Sequence, residues 1–133
     1  MIRPDWDTYF LSLAKAASTR ATCSRLAVGC VLVRDRVIVS TGYNGAARGQ
    51  EHCGDRDHLL GHCSSAVHAE ANAVAVAARE GQATSGTTAY VTHRPCLGCY
   101  RLLINAGVVS VIYAESYGDP FIVSNALPMR KHV

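Results

Sequence analysis

TAYVTHRPCLGCYRLLINAGVVSVIYA, running from Thr88 to Ala114, is the stretch that decides the fold. Thr88–Thr92 has the β-branched and aromatic character of a strand. Pro95 suits the first turn of a helix, where no amide donor is needed. That helix is expected to run to about Ala106, where Gly107 breaks it. Val108–Ala114 reads as another strand. Two strands joined by a helix in so short a span predict parallel pairing through a crossover.

Upstream, His68–Arg79 is rich in alanine and apolar nearly all round, the pattern of a buried helix, and Gly81–Gly86 ends it. Val28–Val33 and Val37–Thr41 are short β-branched runs, and Arg34-Asp35-Arg36 between them predicts a hairpin. Asp5–Ser18 reads as a helix, with Trp6, Phe10, Leu13 and Ala17 at helical spacing. Thr19–Leu26 is polar and loop-like. Asn44–Ala66 is a long loop, a length that points to function or to an internal staple. After Tyr117-Gly118-Asp119-Pro120, a short helix is expected over Phe121–Leu127. The order α-β-β-α-β-α-β predicts an α/β sandwich, a mixed sheet covered by helices. With 133 residues, no repeat and no linker, residues 1–133 read as one domain.

Composition narrows the function. A hydrophobic fraction of 49% with 17% charged residues supplies a core and argues against disorder. No apolar run approaches the roughly 20 residues of a membrane span. Met1–Trp6 lacks the basic-then-apolar pattern of a leader, so a cytoplasmic protein without membrane attachment is expected. The net charge of +3 is too mild for a nucleic-acid surface, and few aromatic residues are available for stacking on single strands. Cysteine is the unusual number. Six cysteines and six histidines, in a chain of intracellular character, point to metal binding or catalysis before disulfides.

His68-Ala69-Glu70 and Pro95-Cys96-Leu97-Gly98-Cys99 carry the chemistry. One His and two Cys suit Zn²⁺ with its fourth position open to water. Both segments fall where helices begin, so two helix dipoles would favour thiolates and a bound hydroxide. Glu70, two residues after His68, cannot share its direction along a helix. It points instead beside the metal, where a carboxylate can take a proton from bound water and pass it on. Alone, a Cys-x-x-Cys is equally a redox pair or half a structural zinc ribbon. Together with the Pro and the element order, the two segments match the H-x-E…P-C-x-x-C signature of zinc nucleobase deaminases.

The chain resembles the cytidine deaminase superfamily, and within it the deoxycytidylate (dCMP) deaminases with their ComEB-like members. The resemblance rests on Thr22–Gly29, Gly42-Tyr43-Asn44-Gly45, Val67–Ala73 and Tyr90–Cys99, extended by Ala106-Gly107-Val108 and Tyr113–Tyr117, and spans Asp5 to Asp119. It implies a three-layer α-β-α sandwich with a mixed central sheet, and zinc-dependent hydrolytic deamination of dCMP to dUMP and ammonia. His68, Cys96 and Cys99 would hold the catalytic Zn²⁺, and Zn-bound hydroxide would attack C4 with Glu70 as proton shuttle. The Ala69 backbone and the Asn44 amide would frame base and sugar, and Arg25 and Tyr117 would face the phosphate. For Asn44 the competing reading is a turn residue at positive φ; for Arg25 it is a solvated surface arginine. The resemblance also implies a homo-oligomer, a hexamer, with dCTP and dTTP as possible effectors. After Asp119 only 14 residues remain, so the closing strand–helix pair of longer members does not fit.

Cys23, Cys53, His58 and His62 form a second candidate set. His58 and His62, four apart, would share one helical face, and two Cys plus two His make a closed tetrahedral shell for a structural Zn²⁺. Some dCMP deaminases carry a second zinc at similar positions. Cys63 or His52 are alternatives for one ligand, and free buried thiols are the reading without metal. Cys30 reads as a small core residue; His93 stays unassigned. Three rival functions remain: deamination of free cytidine, deoxycytidine or a modified cytosine; editing of tRNA or single-stranded DNA; and a zinc-stapled scaffold without activity.

Overall fold

The computed structural model describes residues 2–118, 121 and 126–133. Asp5 caps the first helix, its carboxylate accepting from the Thr8 amide at 2.8 Å, and helix α1 runs Trp6–Ser18. Strands β1 (Gly29–Arg34) and β2 (Val37–Tyr43) form the expected hairpin. Its two-residue turn holds Asp35 and Arg36 at φ 53° and 63°, the left-handed pair that matches the twist of the flanking strands. Helix α2 (Ala69–Arg79), β3 (Thr88–His93), α3 (Leu97–Asn105) and β4 (Ser110–Glu115) follow. Each lies within a few residues of its expected position.

The sheet order is β2-β1-β3-β4-β5, where β5 is Met129–Lys131. The pairs β2/β1 and β1/β3 are antiparallel, and β3/β4 and β4/β5 parallel. The parallel pair around α3 is the crossover that residues 88–114 predict. Period-two alternation divides the core into two layers. Phe10, Leu11 and Ala14 of α1 pack on Val31, Val33, Tyr90 and Ile112. Ala69 and Ala73 of α2, with Tyr100 and Leu103 of α3, pack on Cys30, Leu32, Ala89, Val91 and Val111. The result is a three-layer α-β-α sandwich with a mixed sheet, and Cys30 sits fully buried in it.

Gly42 explains how α2 comes so close to the sheet. A Cβ there would fall onto the carbonyl of Ala69 and the amide of Ala73. The first turn of α2, which carries Glu70, is therefore seated directly on β2.

The tail departs from expectation. Most of the expected helix over Phe121–Leu127 lies outside the described residues; Ala126 and Leu127 are not helical. A three-residue strand closes the parallel edge instead, so a short version of the closing strand does fit. Tyr100 holds the approach to it, its hydroxyl donating to the Leu127 carbonyl at 3.0 Å and accepting from the Leu127 amide. Among the described residues no helix is long and apolar enough to cross a membrane.

Candidate metal centre and nucleotide cleft

Two helix starts meet at one point. His68 is the N-cap of α2 and Cys96 the N-cap of α3, with Cys99 in the first turn of α3. Buried Pro95 precedes the cap, and the Cys99 amide donates to Cys96 Sγ at 3.4 Å. His68 Nδ1 lies 3.6 Å from Cys96 Sγ and 3.3 Å from Cys99 Sγ. Donors at zinc–sulfur and zinc–nitrogen bond lengths around a tetrahedral ion stand about 3.5 Å apart, so the three side chains fit Zn²⁺ as they stand.

Electrostatics agrees with the geometry. The hydrogen bond from Cys99, then His68, pulls the Cys96 thiol down to about 3. Its partner Cys99 is pushed up by that same thiolate and by burial. His68 is raised, first by Cys96. One thiolate forms easily and the second is held back for want of positive charge, which a divalent cation supplies.

Glu70, in the first turn of α2, is 4% exposed. Burial raises its carboxyl above the ordinary 4.5, against the pull of its own backbone amide and His68. A buried carboxyl with a raised pKa beside a metal site is suited to accepting and returning a proton near neutral pH. Glu70, His68 and Cys96 line a cavity of about 270 Å³.

Arg25 and Tyr117 stand at the same cavity. The Arg25 guanidinium donates to the Tyr117 hydroxyl at 2.8 Å and lies 5.8 Å from the centre of its ring. Arg25, though exposed, is therefore tied to a cavity residue. Arg94, which the sequence reading did not single out, also lines the cavity and donates to the Tyr117 carbonyl at 3.4 Å. Its place immediately before Pro95-Cys96 is the signal that would have found it.

Asn44 lines the cavity but is not a positive-φ turn residue. Its Oδ1 accepts from the Val28 amide at 2.7 Å and its Nδ2 donates to the Leu26 carbonyl at 2.6 Å. Its amide ties the segment after Cys23 to the end of β2. Ala69, fully buried, supplies cavity wall.

The second cluster assembles with one substitution. Cys23, Cys53 and His58 come together as expected, but the fourth donor is Cys63, not His62, all four ligand atoms lying within 4.8 Å of one another. Cys23 Sγ and His58 Nε2 are 3.6 Å apart, again a tetrahedral edge. The helical-face argument for His62 fails because the 3-10 turn Asp55–His58 ends at His58. Gly61 then takes φ 81° and reverses the chain, leaving His62 exposed at the cavity. Burial opposes ionisation of Cys63, but the Ser65 and Ala66 amides and His58 outweigh it and bring the thiol to about 6. Cys53 goes the other way, to about 11, through burial and its neighbouring thiols. Three Cys and one His form a closed four-donor set, unlike the three-donor set at the helix starts.

The family profile for the cytidine and deoxycytidylate deaminase zinc-binding region matches residues 4–115. The chain belongs to that family. It is 41% identical over 119 residues to ComE operon protein 2 of Bacillus subtilis, covering 88% of this chain and 63% of that protein. To the deoxycytidylate deaminase of Mycobacterium phage D29 it is 43% identical over 128 residues, covering 86% of this chain and 98% of that one. Against the deoxycytidylate deaminase of Saccharomyces cerevisiae, at 37% identity, the match takes in only 40% of the yeast protein. The chain thus spans less than two thirds of the Bacillus and yeast relatives and nearly all of the phage one. These relatives put it on the dCMP deaminase and ComEB-like branch. In fold it is similar to the dCMP deaminase of cyanophage S-TIM5 in complex with dCMP and dUMP, with a TM-score of 0.81 at 24% identity over 99% of this chain and 100% of that one. Zinc is the metal of the matched family region, and both clusters have donor sets that suit it.

Proposed function

We propose that this chain is a nucleotide deaminase that converts dCMP to dUMP and ammonia. The observation that carries the reading is Glu70, buried beside three metal-fitting donors in a cavity whose rim holds Arg25 against Tyr117. His68, Cys96 and Cys99 would hold a catalytic Zn²⁺, which supplies an activated water at neutral pH.

The chain's own residues do the rest. Glu70 would take one proton from the water and deliver it to ring N3, then take the second from the hydroxyl added at C4 and deliver it to the departing amine, which leaves as ammonia. Its burial keeps the carboxyl within proton-transfer range of both partners. The cavity wall, to which Ala69 contributes, orients the ring and limits access of bulk water to the reacting carbon. Arg25 and Tyr117 face the 5′-phosphate, the group that separates dCMP from deoxycytidine. Asn44 serves the site by holding the Leu26–Val28 wall, and one of its amide hydrogens is left for the sugar. The second cluster would hold a structural Zn²⁺ through Cys23, Cys53, His58 and Cys63. We extend the reading to one domain over residues 1–133, a cytoplasmic homo-oligomer, a hexamer, and control by dCTP and dTTP.

A panel of cytosine, cytidine, deoxycytidine, CMP and dCMP tests it. The expected result is a kcat/KM for dCMP about 10- to 100-fold above that for deoxycytidine, since a charge-assisted phosphate contact is worth roughly 1.5–3 kcal/mol. Equal turnover of the two overturns the nucleotide assignment in favour of a nucleoside deaminase.

A further inference from the structure

We propose that His93 is a specificity residue of the proposed deamination, donating a hydrogen bond from Nε2–H to the 5′-phosphate of the nucleotide. The inference rests on the nucleotide reading above.

His93 ends β3 and lines the same cavity as Glu70 and Arg25. Its Nδ1 lies 2.8 Å from Thr92 Oγ1. That hydroxyl already accepts from the Gly29 amide at 3.1 Å, and Thr92 is only 4% exposed. Were Nδ1 the donor, the buried hydroxyl would accept twice and its own proton would have no acceptor among the described residues, a costly state. The arrangement without that cost has Thr92 donating to Nδ1. The ring proton then sits on Nε2, which has no partner among the described residues, on a side chain that lines the cavity. Burial lowers the His93 pKa, outweighing the opposite pull of Glu115, so the ring is neutral and this tautomer is the working one at neutral pH.

Its neighbours indicate the ligand. His93 meets the Tyr117 ring edge-on with centroids 6.1 Å apart, and Arg25 sits 5.8 Å from the centre of that same ring. Arg94 reaches the Tyr117 carbonyl. One tyrosine thus gathers two guanidinium groups and an oriented N–H at the cavity that His68, Glu70 and Cys96 also line. These donors, two of them cationic, suit a dianionic phosphate; the carboxylates near them are Glu70, in the same cavity, and Glu115, whose charge reaches His93. A base or sugar edge needs acceptors as well.

The test compares kcat/KM for dCMP and deoxycytidine in the full chain, in His93→Leu and in His93→Gln. Gln can place an amide N–H near the position of Nε2. Expected for His93→Leu is a 10- to 100-fold loss with dCMP, in proportion to a hydrogen bond to a charged group, and little change with deoxycytidine. His93→Gln should restore most of the loss. Inhibition by inorganic phosphate should weaken in His93→Leu and return in His93→Gln, which keeps the inference testable if turnover is low. Equal losses on both substrates, or no loss on dCMP, overturn it. If the unaltered chain fails to prefer dCMP, it is the nucleotide reading that falls, a result distinct from a preference that survives removal of His93.

Discussion

The two donor clusters are built from similar side chains on different foundations. His68, Cys96 and Cys99 sit on the first turns of two helices, seated on the sheet by Gly42 and the packing of Ala69 and Ala73. Cys23, Cys53, His58 and Cys63 come from irregular chain, with one 3-10 turn among them. The first set offers three donors and has a buried carboxyl beside it. The second is complete with four and has no acid among its donors. An incomplete shell on rigid elements leaves room for chemistry, whereas a closed shell on a loop serves to hold the loop.

The sharpest break of this comparison is Glu70→Gln. It keeps the size and burial of the side chain and removes its capacity to move a proton. Turnover of dCMP should fall by about 100- to 10,000-fold, while metal content and thermal midpoint stay near those of the unaltered chain. Elemental analysis and steady-state kinetics on one preparation check both halves. Activity that survives would mean the proton moves through another group and would dissolve the difference between the clusters.

Next in size is the contrast between Cys63→Ser and His62→Ala. Two zinc ions per chain are expected, and Cys63→Ser should lose one of them. Its thermal midpoint should drop on the order of 10 °C, as for loss of several kcal/mol in a domain of this size. His62→Ala should keep both ions and its midpoint. The reverse outcome would restore His62 as the fourth donor.

The same contrast explains what was legible in the sequence. Pro95, the alanine-rich run from His68 and the β-branched strands carry local signals, so α2, α3 and their flanking strands stand close to where pattern puts them. With two helix starts located, the meeting of His68, Cys96 and Cys99 follows from the topology of a crossover. The loop offers no such frame. Spacing of four identifies a shared face only if the chain stays helical, and Gly61 at φ 81° ends that premise between His58 and Cys63. Asn44 was legible as a candidate, but its hold on the Leu26 and Val28 backbone was not, because those partners lie across the β1–β2 hairpin. The strand Met129–Lys131 has three residues and depends on its neighbour β4, so no local pattern announces it. His93 becomes interpretable only through the Thr92–Gly29 contact, 63 residues apart in the chain.

The smallest expected effect lies away from both clusters, where β5 meets α1, and it serves as a control. Asp7 accepts from Arg130 and from the Tyr90 hydroxyl. Partial burial favours the neutral acid, but these hydrogen bonds outweigh it and hold the carboxyl below its ordinary 3.8. A carboxylate with a folded pKa below its unfolded value adds stability that is complete above the unfolded value and is lost as pH falls through the folded one. The side chains of Arg130 and Asp7 are 58% and 27% exposed, so screening limits the pair to within about 1 kcal/mol. Asp7→Asn keeps an acceptor for Tyr90 and removes the charge. Its urea midpoint should trail the unaltered chain by a small, steady margin at neutral pH. That margin should close as the pH falls below about 4 and the carboxyl of the unaltered chain takes up its proton. Zinc content and dCMP turnover should not move. A margin that persisted in acid would assign the contact to packing and not to charge. A loss of metal would mean that the α1–β5 edge supports the clusters, which the layered core, with α1 and α2 on opposite faces of the sheet, argues against.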